Sequence, residues 1–549
     1  MRLIIINILL LLSTVLPAQT FTYIKYWVQF TDKANSGYQL DAPHAYLTQK
    51  AIDRRQKQNI AIEPTDLPVN KSYVDSLIAL GLTIHNQSKW FNAVTVELQD
   101  SLMLNTIKQL AFVKQVEPVE ALITEAYFNK IAKPSIVNTE YFTQDEYGSS
   151  FNQIAMLNGD YLHELDFKGE GMDVAVLDAG FRNVDQLYIF ENLWYNQQIK
   201  LTWDFVTRTA QVFGSGSHGM AVLSTMAGFA PGYMVGTAPN ANYYLFRTEN
   251  GDTEYRIEED NWVAAAEMAD SIGIDVINSS LGYSSFSDST MDYTYSQLDG
   301  NTSRITQAAD LAARKGILVV TSAGNLGSSP WRHISAPADA DSVLTVGAVD
   351  PEGHVANFSS RGPSFDGDVK PNVVAQGQSA IVANALGGII SSNGTSFSAP
   401  IMAGLVTCLW QSHPEKSNME IIRAIEQSAN HYTNPNDSMG YGIPDFYKAH
   451  MLLIDENNSG FYQTDKLPIA YPNPFVNELN VMVFTPEDEL YKLEVFDGLG
   501  QRIYTADKTV LANHFFSFNI DELRLFQPGV YYVRIHTANN TDLIKVMKL

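Results

Sequence analysis

The sequence predicts an α/β protein whose central domain has a mainly parallel sheet with helices on both faces. Between residues 150 and 455, short apolar runs typical of buried strands alternate with segments of helical periodicity. On either side of this region the pattern changes, to a small α+β unit before it and to closely spaced strands after it. A chain of 549 residues is long enough for these three domains.

Composition places the chain among globular proteins. Hydrophobic residues make up 45% and charged residues 17% of it, which is typical of a chain with a packed core. The net charge of −24 opposes binding to nucleic acid and to anionic membranes, so we expect no nucleic-acid partner. Cys408 is the only cysteine, so no intrachain disulfide is expected, and we predict that it is a buried hydrophobic side chain.

Residues 1–18 have the layout of a secretory signal peptide. Arg2 precedes a largely apolar segment at residues 3–12, and Ala18 completes a small-residue cleavage site. This segment is shorter than the roughly 20 residues that span a membrane. The sequence has no longer apolar run, so it predicts no transmembrane anchor.

The order of elements in residues 19–125 is typical of a small ferredoxin-like α+β unit. Alternating strand patterns and helical patterns follow one another as strand, helix, strands, helix, strand. The strands include residues 26–30 and 93–98, and the helices are predicted at 73–80 and 102–110.

The central region, residues 150–455, contains the strands that should form the parallel sheet. They are predicted at residues 174–177, 243–246, 275–278, 317–320 and 343–346, with helices at 262–272 and 305–314. In such folds the functional groups collect at the carboxyl ends of the strands.

Residues 466–549 lack helical periodicity and predict a β-sandwich. Aromatic and β-branched segments separated by turn residues indicate short strands. They are predicted at residues 479–484, 492–496, 530–535 and 543–547.

Four polar residues have settings that suit acyl transfer. Ser396 precedes an apolar helix at 399–410, where the helix N-terminus favours negative charge. Asp178 and Asn325 each follow an apolar strand, and His218 lies among glycines. Each residue alone has an ordinary interpretation: a helix cap for Ser396, turn residues for Asp178 and Asn325, and a surface histidine for His218.

Together, and in this order, the four residues resemble the subtilisin-like serine proteases, or subtilases. The resemblance covers roughly residues 150–455, and the Asp, His, Ser order is that of subtilisin. The matching motifs are Val174-Ala175-Val176-Leu177-Asp178-Ala179-Gly180, Ser217-His218-Gly219, Ser280-Leu281-Gly282, Ala323-Gly324-Asn325 and Gly394-Thr395-Ser396-Phe397-Ser398-Ala399-Pro400.

The resemblance implies a role for each residue in a serine endopeptidase that hydrolyses peptide bonds in proteins. Ser396 would be the nucleophile, His218 the general base and acid, and Asp178 the residue that orients it. Asn325 would help to bind the oxyanion, and Leu326 would shape a first specificity pocket for apolar or aromatic side chains. The substrate-binding residues would be Ser280, Leu281, Gly282, Ala323 and Gly324.

Two residues depart from the family pattern and keep a second hypothesis open. Ala179 stands where the family usually has Thr or Ser, and Met220 interrupts the usual His-Gly-Thr-His. The alternative is a catalytically silent relative that acts as a binding protein at the cell surface. His333 is a competing candidate for the base, although it lacks the glycine setting.

The flanking regions resemble two further domains. Residues 19–125 resemble the inhibitory pro-region of subtilases, which implies a cut between about Val119 and Tyr147. Residues 466–549 resemble the C-terminal sorting domain of type IX secretion, through Tyr471-Pro472-Asn473-Pro474-Phe475 and Lys545-Val546-Met547-Lys548-Leu549 among other segments. The protein would then pass through the periplasm of a Gram-negative bacterium to the cell surface or medium. The alternative for this tail is a carbohydrate-binding or structural sandwich.

The implied chemistry requires no cofactor. Subtilases often bind structural calcium and this chain has 60 acidic residues, but the sequence does not identify a ligand loop.

Overall fold

The computed structural model describes most of the chain between residues 22 and 549. The predicted signal segment and most of the predicted cut region lie outside the described residues. The described residues are 22–98, 100, 102–122, 145–455, 468–471, 473–476, 479–485, 488–510, 514–520 and 526–549. Among them, no helix has both the length and the apolar character needed to span a membrane.

The N-terminal unit, residues 22–122, has the predicted ferredoxin-like order of elements. Its antiparallel sheet has the strand order β2-β3-β1-β4. The strands are β1 (Thr22–Phe30), β2 (Thr83–Ser88), β3 (Ala93–Glu97) and β4 (Val113–Leu122), and the helices are α1 (Gln49–Lys57), α2 (Lys71–Ala79) and α3 (Met103–Lys108). The sequence pattern did not predict α1, although the Thr48 side chain caps it by accepting from the Ala51 N–H.

The central domain is built on a sheet of seven parallel strands, as predicted. Its order is β13-β12-β11-β10-β5-β9-β6. The strands of the domain are β5 (Asp173–Asp178), β6 (Ile199–Asp204), β7 (Phe229–Ala230), β8 (Met234–Val235), β9 (Asn242–Arg247), β10 (Val276–Ser279), β11 (Leu318–Ser322), β12 (Leu344–Val349), β13 (Val373–Gln376), β14 (Ala380–Ala383) and β15 (Ile389–Ser392).

Helices cover both faces of this sheet. Alternate residues of β5 belong to different hydrophobic cores: Val174 and Val176 to one, Ala175 and Leu177 to the other. The first core also contains residues of α7 and α10, and the second contains residues of α8 and α9. The helices are α4 (Phe151–Ala155), α5 (Asp160–Glu164), α6 (Glu191–Tyr195), α7 (His218–Ala227), α8 (Ile257–Ile272), α9 (Arg304–Arg314), α10 (Thr395–Ser412), α11 (Asn418–Ser428) and α12 (Phe446–Asp455).

The N-terminal unit packs against the α8 and α9 side of the sheet. Trp27, Val119 and Ala121 of this unit share a hydrophobic core with Trp262 of α8 and Ala308 of α9. The active-site domain therefore has one of its helical layers covered by the preceding segment of its own chain.

The C-terminal region is a β-sandwich, as predicted. Three strands form one antiparallel sheet and four form another, and buried residues of both, such as Val481 and Val533, share one core. The strands are β16 (Ile469–Tyr471), β17 (Asn480–Thr485), β18 (Glu489–Phe496), β19 (Arg502–Val510), β20 (His514–Asn519), β21 (Gly529–His536) and β22 (Thr541–Lys548).

Candidate active site

Three elements of the central domain bring the candidate catalytic residues to one edge of the sheet. Asp178 is the last residue of β5, His218 the first residue of α7, and Ser396 the second residue of α10. Gly394 is the N-cap of α10 and makes no side-chain cap hydrogen bond. The cap interpretation of Ser396 is therefore wrong, and its N–H belongs to the unpaired first turn of the helix.

Asp178 and His218 form a short hydrogen bond. His218 Nδ1 lies 2.7 Å from Asp178 Oδ1, and the Ala179 N–H donates to the same oxygen, also at 2.7 Å. Asp178 is fully buried, whereas 15% of the His218 side chain is exposed. Burial lowers the pKa of His218, but the Asp178 carboxylate outweighs it and leaves the pKa raised.

Glycine is required beside this pair. A Cβ atom at Gly219 would lie 2.6 Å from the Gly180 carbonyl oxygen and 2.8 Å from Asp178 Cβ. Any side chain at this position would push the strand end away from α7. The glycine that follows His218 therefore allows the carboxylate and the imidazole to approach.

Thr395 orients the Asn325 side chain. The Thr395 N–H and Oγ1 both donate to Asn325 Oδ1, at 2.9 and 3.0 Å. With Oδ1 engaged in this way, the amide Nδ2 is the group that can donate to a substrate oxygen. Ser396 Oγ donates to the Ser280 carbonyl at 3.4 Å, so the hydroxyl lies at the edge of the predicted substrate-binding segment.

One cleft of about 300 Å³ joins these residues. Leu326, the predicted specificity residue, lines it together with Ser335 and Ser322. The other lining residues are Ala179, His218, Glu249, Gly251, Glu254, Ser280, Leu281, Gly282, Ser284, Ser285, Gly324, Asn325 and Ser396. The cleft has the volume and the mixture of apolar and polar groups expected of a ligand site.

Two other predicted candidates, Ala323 and His333, are not among the residues that line the cleft. Ala323 is fully buried and donates its N–H to the Val346 carbonyl, because the chain still pairs with β12 at this point. The His333 ring stacks on Tyr295 with 3.7 Å between ring centroids, and His333 does not line the cleft. Cys408 is buried, as predicted, and burial raises the pKa of its thiol.

Sequence reasoning missed three residues of this site. Thr395 was quoted only as part of a motif, although a hydroxyl beside a candidate nucleophile is a usable signal. Glu249 and Glu254 line the cleft, and their positions depend on how the segment between β9 and α8 folds back.

Within the described part of the chain, three clusters of three side chains each bring their ligand atoms close enough to hold a cation. They are Asp350, Glu352 and His354; Glu249, Glu254 and Glu258; and Asp341, Asp366 and Asp368. Acidic groups of this kind are common without a metal, and calcium takes six to eight oxygen ligands, so no calcium site is assigned.

Comparisons with known proteins show which family the central domain resembles. Residues 169–442 match the subtilase family model, peptidase S8. Subtilisin DY of Bacillus licheniformis is 30% identical over 296 residues, which are 53% of this chain and 93% of that protein. Subtilisin E of Bacillus subtilis is 28% identical over 367 residues, which are 66% of this chain and 81% of that protein. A solved structure described as the prenylagaramide maturation protease PagA covers 54% of this chain and 98% of its own, with 23% identity and a TM-score of 0.43.

The flanking units also match family models. Residues 25–134 match the peptidase S8 propeptide domain of Bacteroidota, and residues 469–548 match the secretion system C-terminal sorting domain. We therefore call the N-terminal unit the pro-domain and the C-terminal sandwich the sorting domain. The chain matches both the peptidase model and the propeptide model of this family, and its relatives include subtilisins. The protein therefore belongs to the subtilase family and is a serine endopeptidase.

Proposed function

We propose that the protein is an exported endopeptidase in which Asp178, His218 and Ser396 form the catalytic triad. The 2.7 Å bond between His218 Nδ1 and Asp178 Oδ1, at the sheet edge that also carries Ser396, is the observation that supports this most directly. A buried carboxylate in this position fixes the imidazole tautomer and stabilises the imidazolium that forms during the reaction.

The reaction would follow from these roles. Ser396 Oγ attacks the scissile carbonyl carbon while His218 Nε2 accepts the hydroxyl proton. The oxyanion is stabilised by Asn325 Nδ2 and the Ser396 N–H. When the intermediate collapses, the C–N bond breaks, and His218 returns the proton to the leaving amine. Water then attacks the acyl-enzyme by the same route, with His218 again taking the proton, and releases the carboxylic acid and free Ser396.

The substrate is a protein or peptide bound as an extended strand. Ser280, Leu281 and Gly282 follow β10 along the cleft, where their backbone groups can pair with such a strand. Leu326 favours an apolar or aromatic side chain directly before the scissile bond, and a cleavage profile dominated by Arg or Lys at that position would contradict this.

The same chain provides an inhibitor and a route of export. We assign residues 1–18 to a signal peptide, 19–125 to an inhibitory pro-domain, 150–455 to the peptidase and 466–549 to the sorting domain. The sorting-domain match indicates secretion or display at the cell surface. Passage through the periplasm and recognition by the type IX machinery are the finer proposals.

Labelling with a serine-reactive phosphonate tests the nucleophile. The matured protein should be modified on Ser396, and both labelling and peptide hydrolysis should be lost in Ser396→Ala. The same variant should keep its pro-domain covalently attached, because we expect maturation to be self-processing. If wild-type matured protein is neither labelled nor active, the silent surface-binding alternative replaces the enzyme proposal.

A further inference from the structure

The substrate cleft has an acidic wall, which we define as Glu249, Glu254 and Glu258. Glu249 and Glu254 line the cleft that contains Ser396, and they are only 2% and 7% exposed. Glu258 is fully buried, and one carboxylate oxygen from each of the three residues lies within 4.8 Å of the others. The acidic wall thus places three carboxyl groups beside the space for the substrate, in a setting with little solvent screening.

The path of the chain indicates which part of the substrate meets this wall. The Ser280 carbonyl accepts the hydrogen bond from Ser396 Oγ, and three residues further along, the Tyr283 hydroxyl donates to Glu249 at 2.5 Å. Three residues of extended strand span about 10 Å. A substrate strand that pairs antiparallel with Ser280 to Gly282 would therefore reach the wall two to four residues before its scissile bond.

The acidic wall also lies close to the base. The negative charge of Glu249 contributes to raising the pKa of His218. Arg247 and Arg256 lie close to the wall in sequence, and Arg247 Nε donates to the backbone carbonyl of Glu249 at 3.1 Å. Arg247 donates to Asp204 at 2.8 Å, and Arg256 donates to the Met291 carbonyl at 2.8 Å.

We propose that the acidic wall selects substrates with an arginine or lysine two to four residues N-terminal to the scissile bond. This rests on the proposed function, because it takes Ser396 as the nucleophile and Ser280 to Gly282 as the substrate-binding edge. A cationic side chain would form charge-assisted hydrogen bonds with Glu249 and Glu254. An acidic side chain at the same position would be rejected by like-charge repulsion, so the wall would discriminate in both directions.

Matched peptides test the proposal. The wild-type matured enzyme is assayed on peptides that differ only in arginine or citrulline, a neutral group of nearly the same shape, at each position before the scissile bond. We expect kcat/KM to be roughly 10- to 100-fold higher for arginine at one of positions two to four, as for a hydrogen bond to a charged group. High salt should change this preference little, because charges buried this deeply are screened much less than exposed charges.

Two isosteric variants and a control locate the effect. In Glu249→Gln and Glu254→Gln the arginine-to-citrulline ratio of kcat/KM should fall towards one. Glu170→Gln removes the same charge from an exposed residue before the N-terminal end of β5, at the opposite edge of the sheet, and should keep the wild-type ratio. Phosphonate labelling of Ser396 checks that each variant has a folded active site.

The outcomes separate this inference from the proposed function. Wild-type enzyme that cleaves the citrulline peptides but shows no arginine preference overturns the inference and leaves the endopeptidase intact. A ratio that survives both glutamate substitutions also overturns it. Absence of both cleavage and labelling in the wild type would instead refute the proposed function. If the glutamate variants do not fold, the arginine-to-citrulline ratio of kcat/KM in the wild-type enzyme still decides.

Discussion

Asp178 uses its two carboxylate oxygens unequally. Oδ1 accepts from both His218 and the Ala179 N–H, whereas Oδ2 is buried and has no hydrogen-bond partner among the described residues. A carboxylate with an unsatisfied buried oxygen keeps its charge poorly dispersed, so it attracts the imidazolium more strongly. The alanine at position 179 therefore bears on the basicity of His218.

Ala179→Ser should move the acid limb of the pH–rate profile to lower pH. A serine hydroxyl within reach of Asp178 Oδ2 would disperse the carboxylate charge, which would reduce its pull on the imidazolium and lower the pKa of His218. Because neutral His218 is the base, activity would then persist to lower pH, by about half a unit to one unit. The measurement is kcat/KM from pH 5 to 9, with Ala179→Gly as a control that adds no donor. A limb that moves to higher pH would contradict this account.

Substitutions at Asn325 and Thr395 should distinguish the donor that binds the oxyanion from the residue that orients this donor. Asn325→Ala should lower kcat by roughly 10² to 10³ with little change in KM, because the donor acts on charge that develops in the transition state. Thr395→Val removes one of the two donors to Asn325 Oδ1 and should lower kcat by about tenfold. Thr395→Ser restores the hydroxyl and should recover most of the loss. An unchanged kcat in Asn325→Ala would remove Asn325 from the oxyanion site.

At the scale of elements, α8 links the pro-domain to the active site. Its residue Asp270 is fully buried and binds Arg54 and Arg55 at 2.7 Å and Lys89 at 2.8 Å, all three from the pro-domain. Although burial opposes it, these cations hold the pKa of Asp270 well below its usual range. The Glu267 carboxylate of the same helix accepts from the Lys89 and Trp90 N–H groups.

Asp270→Asn should weaken the pro-domain contact strongly. The substitution leaves three buried cations without their shared carboxylate, and breaking a buried pair costs about 3–5 kcal/mol. Thermal unfolding of the unprocessed Ser396→Ala protein measures the loss. Asp75→Asn is the matched control, because it removes an exposed i,i+4 partner of Lys71 and should change little. Equal effects of the two substitutions would show that the buried network is not what holds the pro-domain.

The pro-domain should dissociate more readily as pH rises from about 6.5 to 8. Burial raises the pKa of Glu267 and Glu259 to about 7 and that of Asp260 to about 6. Since these pKa values exceed those of exposed carboxyls, the covered state takes up protons, and its stabilisation is lost as pH rises through them. Asp270 and His85 act in the opposite direction, because their pKa values are lowered, but their contributions change only below about pH 4 and about pH 6.5 respectively. Size-exclusion chromatography of the processed complex would measure the bound fraction, and tighter binding at pH 8 would contradict this.

The elements that the sequence predicted well are those whose pattern does not depend on distant partners. The five apolar runs of the sheet fall on β5, β9, β10, β11 and β12, because continuous apolar runs suit buried parallel strands. Helix α8 begins at Ile257, five residues before the predicted start at Trp262. Its first turn contains Glu258, Glu259 and Asp260, which suit a helix N-terminus but carry no apolar signal. They are buried by packing against the folded protein, which a local pattern does not contain.

The residues of the candidate site also differ in whether a local sequence pattern could predict them. Asp178, His218, Asn325 and Ser396 could be found from sequence because each stands at the end of a recognisable element. Strand topology then brings them together. The acidic wall could not be predicted from a local sequence pattern, because it depends on the contact between Glu249 and Tyr283, which are 34 residues apart. Ala323 stays a prediction, because its N–H still pairs with the Val346 carbonyl and its side chain is buried.

At the scale of the whole molecule, catalysis and export are assigned to separate units. The proposed catalytic residues and the lining of the cleft lie between residues 178 and 396. The sorting domain has a core of its own, built from both of its sheets. A unit with its own core can be removed or transferred without altering the chemistry of the other unit.

Deletion of residues 466–549 should therefore leave the protease in the periplasm while Ser396 still reacts with a phosphonate. Full-length Ser396→Ala is the matched control, and it should be exported but not labelled. Together the two proteins separate loss of export from loss of catalysis. Normal amounts of the truncated protein in the medium would contradict the sorting role. If truncation prevents folding, so that no labelled protein is found anywhere, residues 466–549 fused to an unrelated periplasmic protein should carry that protein out of the cell.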